Sequence, residues 1–180
     1  MILRPTAIAG VTEVLAERHR DARGAFMRSW CRESFAAAGL DFAPVQASLS
    51  ENPRRYTLRG LHFQAPPAGE QKLVRCLRGA VYDVALDLRP GSPTQLAHVA
   101  LRLDAATGNA LFIPRGCAHG FLTLTDDALV EYLIDAPHLP AAARGMRWDD
   151  PAFAIPWPAA PQVISDRDRD WPDHDAADIA

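Results

Sequence analysis

The sequence predicts a mainly β protein, built as an antiparallel sandwich or barrel. Three observations indicate this class. Short strand candidates follow one another closely, turns rich in Pro and Gly separate them, and only one segment has a good helical pattern. A parallel sheet would instead need strands that alternate with long helical segments, and the pattern does not favour one.

The one helix is predicted over Trp30 to Ala38. Ser29 can cap its start, and Gly39 can end it because glycine tolerates the left-handed conformation found there. Its apolar side chains recur at helical spacing and share one face: Cys31, Phe35 and Ala38.

Seven strand candidates follow the helix, each bounded by turn residues. In chain order they are Leu58 to Gln64, Gln71 to Leu77, Ala80 to Leu88, Leu96 to Leu103, Ala110 to Ile113, Ala118 to Leu124 and Leu129 to Ile134. Arg78-Gly79 predicts a tight turn that joins the second and third candidates as a hairpin. The stretch from Pro137 onward is rich in Pro, Ala and Asp, which predicts turns and loops that wrap the barrel. Its last residues, Asp173 to Ala180, are predicted to be a frayed tail.

Bulk properties narrow the possible functions. A chain of 180 residues without a linker is expected to form one domain, residues 1–180. The net charge of −3 gives no basic field for nucleic acid or for an anionic membrane. No apolar run approaches the roughly 18 residues of a membrane span, and we see no secretion signal. Three scattered cysteines without a CxxC spacing predict no disulfide framework, which fits a reducing cytoplasm.

Lys72 is the only lysine among the 19 basic residues of the chain; all the others are arginine. Lysine is a compact ammonium on a flexible stem, whereas arginine is a planar fork with a permanent charge. A single lysine in such a chain indicates a place that needs a point charge or a titratable amine. The spacing alone is equally compatible with a surface residue that arose by chance.

The strongest cluster of site-type residues is Arg59-Gly60-Leu61-His62-Phe63-Gln64. A lone histidine on a strand is more often a core residue than a base. Neighbouring candidates supply companions, however: Lys72, His119, Tyr132 and the acidic run from Asp166 to Asp170. A base, an orienting carboxylate, a phenol and an ammonium are the parts needed for proton abstraction next to a carbonyl. The acidic run by itself is equally typical of a solvated turn.

Strand alternation raises a question about this cluster. It places His62 on one face with Gly60 and puts Arg59 on the other. If Arg59 and His62 serve one site, Gly60 marks a β-bulge or the strand lies at the rim of the barrel.

Metal binding is the competing use of barrel histidines, and it needs at least three convergent ligands. No second histidine lies two positions after His62, and no glutamate follows at the short interval used by metal-binding barrels. We therefore expect no metal site. Phosphate-binding glycine loops and a nucleophile elbow are also absent from the sequence.

A set of ordered segments resembles the dTDP-4-dehydrorhamnose 3,5-epimerase family, the RmlC-like cupins. The resemblance covers about residues 19–170 and lies in these segments: Asp21-Ala22-Arg23-Gly24, Leu58 to Gln64, Lys72-Leu73-Val74-Arg75, Arg78-Gly79 with Asp83, Asp87-Leu88-Arg89, Ser92-Pro93-Thr94, Ile113 to Phe121, Tyr132, Arg144 to Pro151 and Ile164 to Asp168.

The resemblance implies a double-stranded β-helix, the cupin jelly roll, with a short N-terminal helix and an irregular C-terminal segment. It implies a metal-independent homodimer that uses no cofactor. The implied reaction inverts C3, C5 or both in a nucleotide-diphospho-4-keto-6-deoxyhexose, foremost a dTDP-linked one. A proton leaves a carbon next to the C4 ketone, and a proton returns on the opposite face.

The resemblance also implies a role for individual residues. His62 matches the base and Asp168 its carboxylate partner. Tyr132 matches the acid, and Lys72 matches the ammonium beside the ketone oxygen. The implied substrate contacts are Arg59, His119, Gln46, Phe26, Asp83 and Arg23, of which Arg23 reaches the diphosphate of the neighbouring subunit.

Some positions depart from the family pattern. Gln46-Ala47-Ser48 stands where Gln-Asp-Asn is common, Arg28 where a glutamate is usual, and Asp135-Ala136-Pro137-His138 where a tyrosine pair is frequent. These positions leave open whether the nucleotide is dTDP, CDP or GDP, and whether one or both carbons invert. Two further alternatives also stay open at this point: a catalytically silent cupin that binds sugar nucleotides, and a metal-dependent cupin oxygenase or isomerase.

Overall fold

The computed structural model of the chain describes residues 1–174. Thirteen strands and two short α-helices follow in chain order: β1 Ile2–Pro5, β2 Thr12–Leu15, β3 Arg18–Asp21, β4 Gly24–Met27, α1 Arg32–Ala37, β5 Gln46–Asn52, β6 Leu58–Gln64, β7 Lys72–Arg78, β8 Ala80–Asp87, β9 His98–Asp104, β10 Ala110–Ile113, β11 Cys117–Thr123, β12 Ala128–Ile134, β13 Ala143–Gly145 and α2 Asp166–Arg169. A single 3₁₀ turn, Pro140–Ala142, precedes β13.

Most strands belong to two antiparallel sheets. The six-stranded sheet has the order β1-β2-β10-β7-β12-β5, the five-stranded sheet has the order β13-β6-β11-β8-β9, and β3 and β4 form a separate hairpin. The main core contains side chains from both sheets, such as Val74 and Val130 from one and Ala85 and Phe121 from the other. The sheets therefore pack face to face as a jelly roll, which confirms the predicted mainly β class.

Two smaller clusters cover the outer faces of the sheets. Phe35 of α1 and Phe42 pack on Phe112 of β10, outside the six-stranded sheet. Met146 and Phe153 of the C-terminal segment pack with Leu61 and Leu86, outside the five-stranded sheet. The C-terminal segment wraps the barrel as predicted, but the stretch from Pro137 is not made of turns and loops alone. β13 pairs with β6, and α2 forms near the end of the segment.

The predicted hairpin between β7 and β8 is wrong. β7 pairs with β10 and β12, whereas β8 pairs with β9 and β11. Gly79, with φ of +76°, carries the chain from one sheet to the other. Both strands are largely buried because each lies within one of two facing sheets. The sequence shows two apolar runs joined by a tight turn, and a hairpin would show the same pattern.

Other predictions need smaller corrections. The helix begins at Arg32, not Trp30, and its N-cap is Cys31, with no side-chain cap bond, so Ser29 does not cap it. Phe35 is its only buried residue, so the predicted three-residue apolar face is wrong. Gly39 ends the helix as predicted, with φ of +76°. The predicted strand from Leu96 begins only at His98 because Leu96 lies in a turn with φ of +66°. Of the tail predicted from Asp173, residues 175–180 lie outside the described residues.

Candidate active site

Two histidines face each other across the pair formed by β6 and β11. His62 and His119 are direct register partners, whereas the next matched pair is Arg59 with Phe121, so β6 has one extra residue between them. Of the two arrangements expected, the β-bulge at Gly60 is present, and Arg59 and His62 line the same pocket. A Cβ atom at Gly60 would lie 2.5 Å from Gly120 Cα, and the φ of Gly60 is +121°. Only glycine fits this position.

His62 forms a pair with Asp168, a residue 106 positions away in the chain. His62 Nε2 lies 2.6 Å from Asp168 Oδ1, and Asp168 Oδ2 accepts a hydrogen bond from Gly60 N at 3.2 Å. Burial is the largest single influence on the Asp168 carboxyl and raises its pKa, but the hydrogen bond and charge of His62 and the Gly60 N–H together outweigh it. The net pKa of Asp168 is lowered, so this carboxylate is ionised at neutral pH.

The segment that brings Asp168 to this place is held at both ends of α2. Ser165 caps the helix by accepting a hydrogen bond from Asp168 N at 3.1 Å. After the helix, Trp171 packs against Gly145 of β13 so closely that a Cβ atom on Gly145 would lie 2.2 Å from the indole ring. The missing side chain at Gly145 therefore lets the C-terminal segment lie against the five-stranded sheet.

His119 has a carboxylate partner of its own. Its Nε2 atom lies 2.8 Å from Asp83 Oδ1, and the two side chains are 4% and 0% exposed. Burial raises the pKa of the Asp83 carboxyl, while the charges of His119 and Lys72 act in the opposite direction. Asp83 does not line the pocket, which corrects its prediction as a direct substrate contact. It lies behind His119 and can act on a ligand only through that ring.

Lys72 lies inside the pocket, at the start of β7. Its side chain is 11% exposed, and its Nζ atom lies 2.9 Å from Glu70 Oε1. Nζ also donates a hydrogen bond to the backbone carbonyl of His62 at 3.2 Å. The single lysine of the chain is therefore not a surface residue.

Tyr132 approaches the pocket from the six-stranded sheet, on β12. Its ring meets that of His119 edge to face, with 5.7 Å between the centroids. Burial raises the pKa of the phenol well above its usual range, the negative charge of Asp83 raises it further, and Arg59 partly opposes this. The hydroxyl is therefore a neutral donor at all physiological pH values.

The pocket between these groups has a volume of about 380 Å³ and is lined from both sheets. Gln46 and Arg59 line it as the sequence predicts. Residues to which the sequence assigned no catalytic or binding role also line it: Ser48, Ser50, Phe63, Gln64, Glu70, Ile134, His138, Ala143, Arg144 and Arg167. For Ser48 and Ser50 a signal existed, because Gln46, Ser48 and Ser50 alternate along β5 as side chains of one face do.

Two predicted contacts lie away from the pocket in this chain. Arg23 and Phe26 belong to the β3–β4 hairpin, where the Arg23 side chain is 90% exposed and Phe26 is 76% exposed. Arg23 forms a bidentate contact with Asp21. Neither residue reaches the pocket of its own chain.

Among residues 1–174, no three His, Cys, Asp or Glu side chains come together in a group that could hold a metal ion. In the same part of the chain, no helix is long and apolar enough to cross a membrane.

A jelly roll with a histidine–carboxylate pair, an ammonium and a phenol around one pocket has the architecture of a cupin-type sugar epimerase. The family model for dTDP-4-dehydrorhamnose 3,5-epimerase matches residues 5–175. The chain belongs to this family.

Individual relatives agree with this placement. The dTDP-4-dehydrorhamnose 3,5-epimerase of Sinorhizobium fredii is 40% identical over 177 residues, which covers 96% of this chain and 89% of the relative. The dTDP-4-dehydrorhamnose 3-epimerase of Streptomyces niveus is also 40% identical, over 94% of this chain and 82% of the relative. The crystal structure of the Bacillus anthracis 3,5-epimerase with TDP and PPi bound superposes with a TM-score of 0.93 at 34% identity, covering 96% of this chain and 99% of that one.

Proposed function

We propose that this protein is an isomerase that epimerises a dTDP-linked 4-keto-6-deoxyhexose by removing and returning a proton next to the C4 ketone. The observation that carries the proposal is the pairing of His62 with Asp168 at 2.6 Å on the wall of a pocket that also contains Lys72 and Tyr132. The dTDP nucleotide follows from the relatives, one of which was solved with TDP. A silent binding protein would not need this combination of groups.

His62 is the base in this proposal. Its Nε2 atom is occupied by Asp168, which leaves Nδ1 to accept a proton from the sugar carbon. The ionised carboxylate fixes the tautomer of the ring and stabilises the imidazolium that forms. The ring can meet a substrate because the His62 side chain is 42% exposed.

Lys72 and Tyr132 complete the reaction. When the C–H bond breaks, its proton goes to His62 and its electron pair forms a C=C bond to C4. The π electrons of the C4 carbonyl move onto the ketone oxygen, which becomes negatively charged. The Lys72 ammonium stabilises this charge, and loss of one such donor typically costs about 10²–10³-fold in rate. His62 belongs to β6 of one sheet and Tyr132 to β12 of the other. A sugar between the sheets can therefore lose a proton to His62 and receive one from Tyr132 on its opposite face.

The remaining predicted contacts bind the substrate. Arg59 and His119 line the pocket beside the catalytic groups and suit the diphosphate and the sugar. We propose that Arg23 and Phe26 act on the site of a second copy in a homodimer, since both side chains are exposed on the β3–β4 hairpin, away from their own pocket. Gln46 lines the same pocket from β5 and is proposed to contact the substrate. We further propose that residues 1–180 form one domain and that the protein acts in the cytoplasm, where its cysteines, all free in the structure, stay reduced.

Deuterium exchange tests this function. The protein is incubated in D₂O with dTDP-4-keto-6-deoxyglucose and, in parallel, with CDP- and GDP-linked keto sugars, and NMR follows C3 and C5. We expect deuterium and inverted product with the dTDP sugar, and the labelled carbons identify a 3-, 5- or 3,5-epimerase. Binding of the dTDP sugar without exchange would establish the silent binding protein instead, and exchange only in a CDP or GDP sugar would change the nucleotide.

A further inference from the structure

Glu70 is the only acidic side chain among the described residues that line the pocket. A carboxylate in a site for a diphosphate opposes binding through charge repulsion. Glu70 is also not a solvated surface charge, since its side chain is 7% exposed. Its presence therefore calls for a role that benefits a neighbouring group.

That neighbour is Lys72. Glu70 Oε1 lies 2.9 Å from Lys72 Nζ, and the same Nζ donates to the His62 carbonyl at 3.2 Å. An ammonium carries three N–H donors. Two fixed acceptors determine its rotation about the Cε–Nζ bond and leave one N–H for a ligand. Because Lys72 lines the pocket, the remaining N–H is the donor available to a bound ketone oxygen.

The loop between β6 and β7 holds Glu70 in a defined place. Just before it, the Gly69 carbonyl accepts a hydrogen bond from Arg115 Nε at 3.0 Å. Just after it, Gln71 N donates to Asp135 Oδ1 at 2.7 Å. The backbone on both sides of Glu70 is therefore tied to the segments that directly follow β10 and β12, which makes its carboxylate a fixed reference point for a flexible lysine.

We propose that Glu70 is a positioning residue that holds the Lys72 ammonium in the direction required to meet the ketone oxygen. This inference rests on the proposed function. The four-carbon stem of lysine is flexible, and the His62 carbonyl is the one other acceptor that its ammonium meets among the described residues. Without Glu70, a single hydrogen bond no longer fixes the direction of the ammonium, and its third N–H is not held toward the substrate.

Kinetics with dTDP-4-keto-6-deoxyglucose test the proposal. We expect Glu70→Ala to lower kcat by about 10- to 100-fold with KM nearly unchanged, since displacement of a catalytic group by ~1 Å already costs this much. Glu70→Gln keeps an acceptor oxygen and should recover much of the loss. Glu33→Ala, on the exposed face of α1, is the matched control and should behave as wild type.

A double-mutant cycle separates positioning from other effects. In the Lys72→Met background, Glu70→Ala should cause no further loss, because the group it positions is gone. An equal loss in both backgrounds would overturn the proposal, as would a change confined to KM or a Glu70→Ala protein that does not fold.

A substrate-free measurement keeps this inference distinct from the proposed function. Because Lys72 is the only lysine, protein grown with ¹⁵N-lysine gives one side-chain ammonium signal. We expect slow exchange of its protons with water in wild type and Glu70→Gln, and faster exchange in Glu70→Ala. An unchanged signal in Glu70→Ala would overturn the inference even if the enzyme is active. A wild-type protein that catalyses no exchange into any sugar would overturn the proposed function instead.

Discussion

The two neighbouring histidines of the paired strands β6 and β11 each have a carboxylate partner, and the two pairs differ mainly in exposure. In the first pair, the side chains of His62 and Asp168 are 42% and 7% exposed. In the second, those of His119 and Asp83 are 4% and 0% exposed. The same two chemical groups can therefore present a ring to the substrate in one place and form part of the buried wall in the other.

The two carboxylates differ in the same sense. The pKa of Asp168 is lowered because hydrogen bonds and the charge of His62 outweigh its partial burial. The pKa of Asp83 is raised because complete burial outweighs His119 and Lys72. An ionised carboxylate beside an accessible ring supports a base. A fully buried carboxylate behind a ring instead fixes the orientation of that ring.

The largest effect is expected from Asp168→Asn. The neutral amide cannot stabilise the His62 imidazolium. Its NH₂ group can also donate to Nε2, which favours the tautomer with the proton on Nδ1 and blocks the base. We expect kcat to fall by roughly 10³–10⁴-fold, measured by epimer formation. Asp170→Asn, an exposed position just after the same helix, is the control and should retain wild-type turnover. Near-normal activity of Asp168→Asn would remove the carboxylate from the base.

Lys72→Arg should have the next largest effect, because Lys72 contacts the first pair and its charge also acts on the second. The substitution keeps the charge but replaces a compact ammonium with a wide planar fork. We expect turnover to fall by roughly 10²-fold or more, since misplacement of about 1 Å is this costly. Lys72→Met should be at least as damaging. If Lys72→Arg turns over normally, the stabilisation of the oxyanion passes to His119 or Arg59.

Tyr132→Phe should separate proton removal from inversion. His62 can still remove a proton and return one on its own face, so deuterium should enter the sugar while little epimer forms. Deuterium content and epimer content are read from the same NMR sample. Equal loss of both would show that Tyr132 positions the sugar and does not deliver the proton.

His119→Ala should affect stability more than His62→Ala does. It leaves Asp83 buried without its partner, and an uncompensated buried charge typically costs about 3–5 kcal/mol once that carboxyl ionises. Because the pKa of Asp83 in the folded state lies above its unfolded value, the folded state keeps a proton that the unfolded state loses. The free energy of unfolding therefore falls as pH rises from the unfolded pKa of Asp83 toward its raised pKa in the folded state. We expect thermal unfolding of His119→Ala to occur at a higher temperature at pH 5 than at pH 7.5. The reverse trend would contradict the raised pKa.

Much of the β framework could be predicted from the sequence because apolar runs and turn residues are local signals. β6 and β10 have the predicted bounds. The N-terminal strands were missed because β1, β3 and β4 are largely exposed and carry no apolar alternation. The partners of β7 and β8 could not be inferred either, because a tight turn is compatible with pairing or with a change of sheet.

Part of the candidate site could be predicted because some of its residues also give local signals in the sequence. His62 and Lys72 are conspicuous in composition and position, and the family resemblance supplied Asp168 and Tyr132. Glu70 gave no signal, since a glutamate in a loop with Pro and Gly is typical of a solvated charge. Its contact with Lys72 becomes visible only when the loop is placed against the sheets. The exposure that distinguishes His62 from His119 is likewise a property of the folded molecule, which the sequence does not show.

The most direct test of this distinction is deuterium wash-in from D₂O for His62→Asn and His119→Asn measured in parallel with dTDP-4-keto-6-deoxyglucose. Asparagine at position 119 can still donate to Asp83, so both variants are expected to fold. We expect no wash-in at C3 or C5 for His62→Asn, because one base begins every exchange. For His119→Asn we expect slower but clear wash-in. Wash-in near the wild-type rate in His62→Asn, together with its loss in His119→Asn, would contradict the assignment and make the buried pair the base.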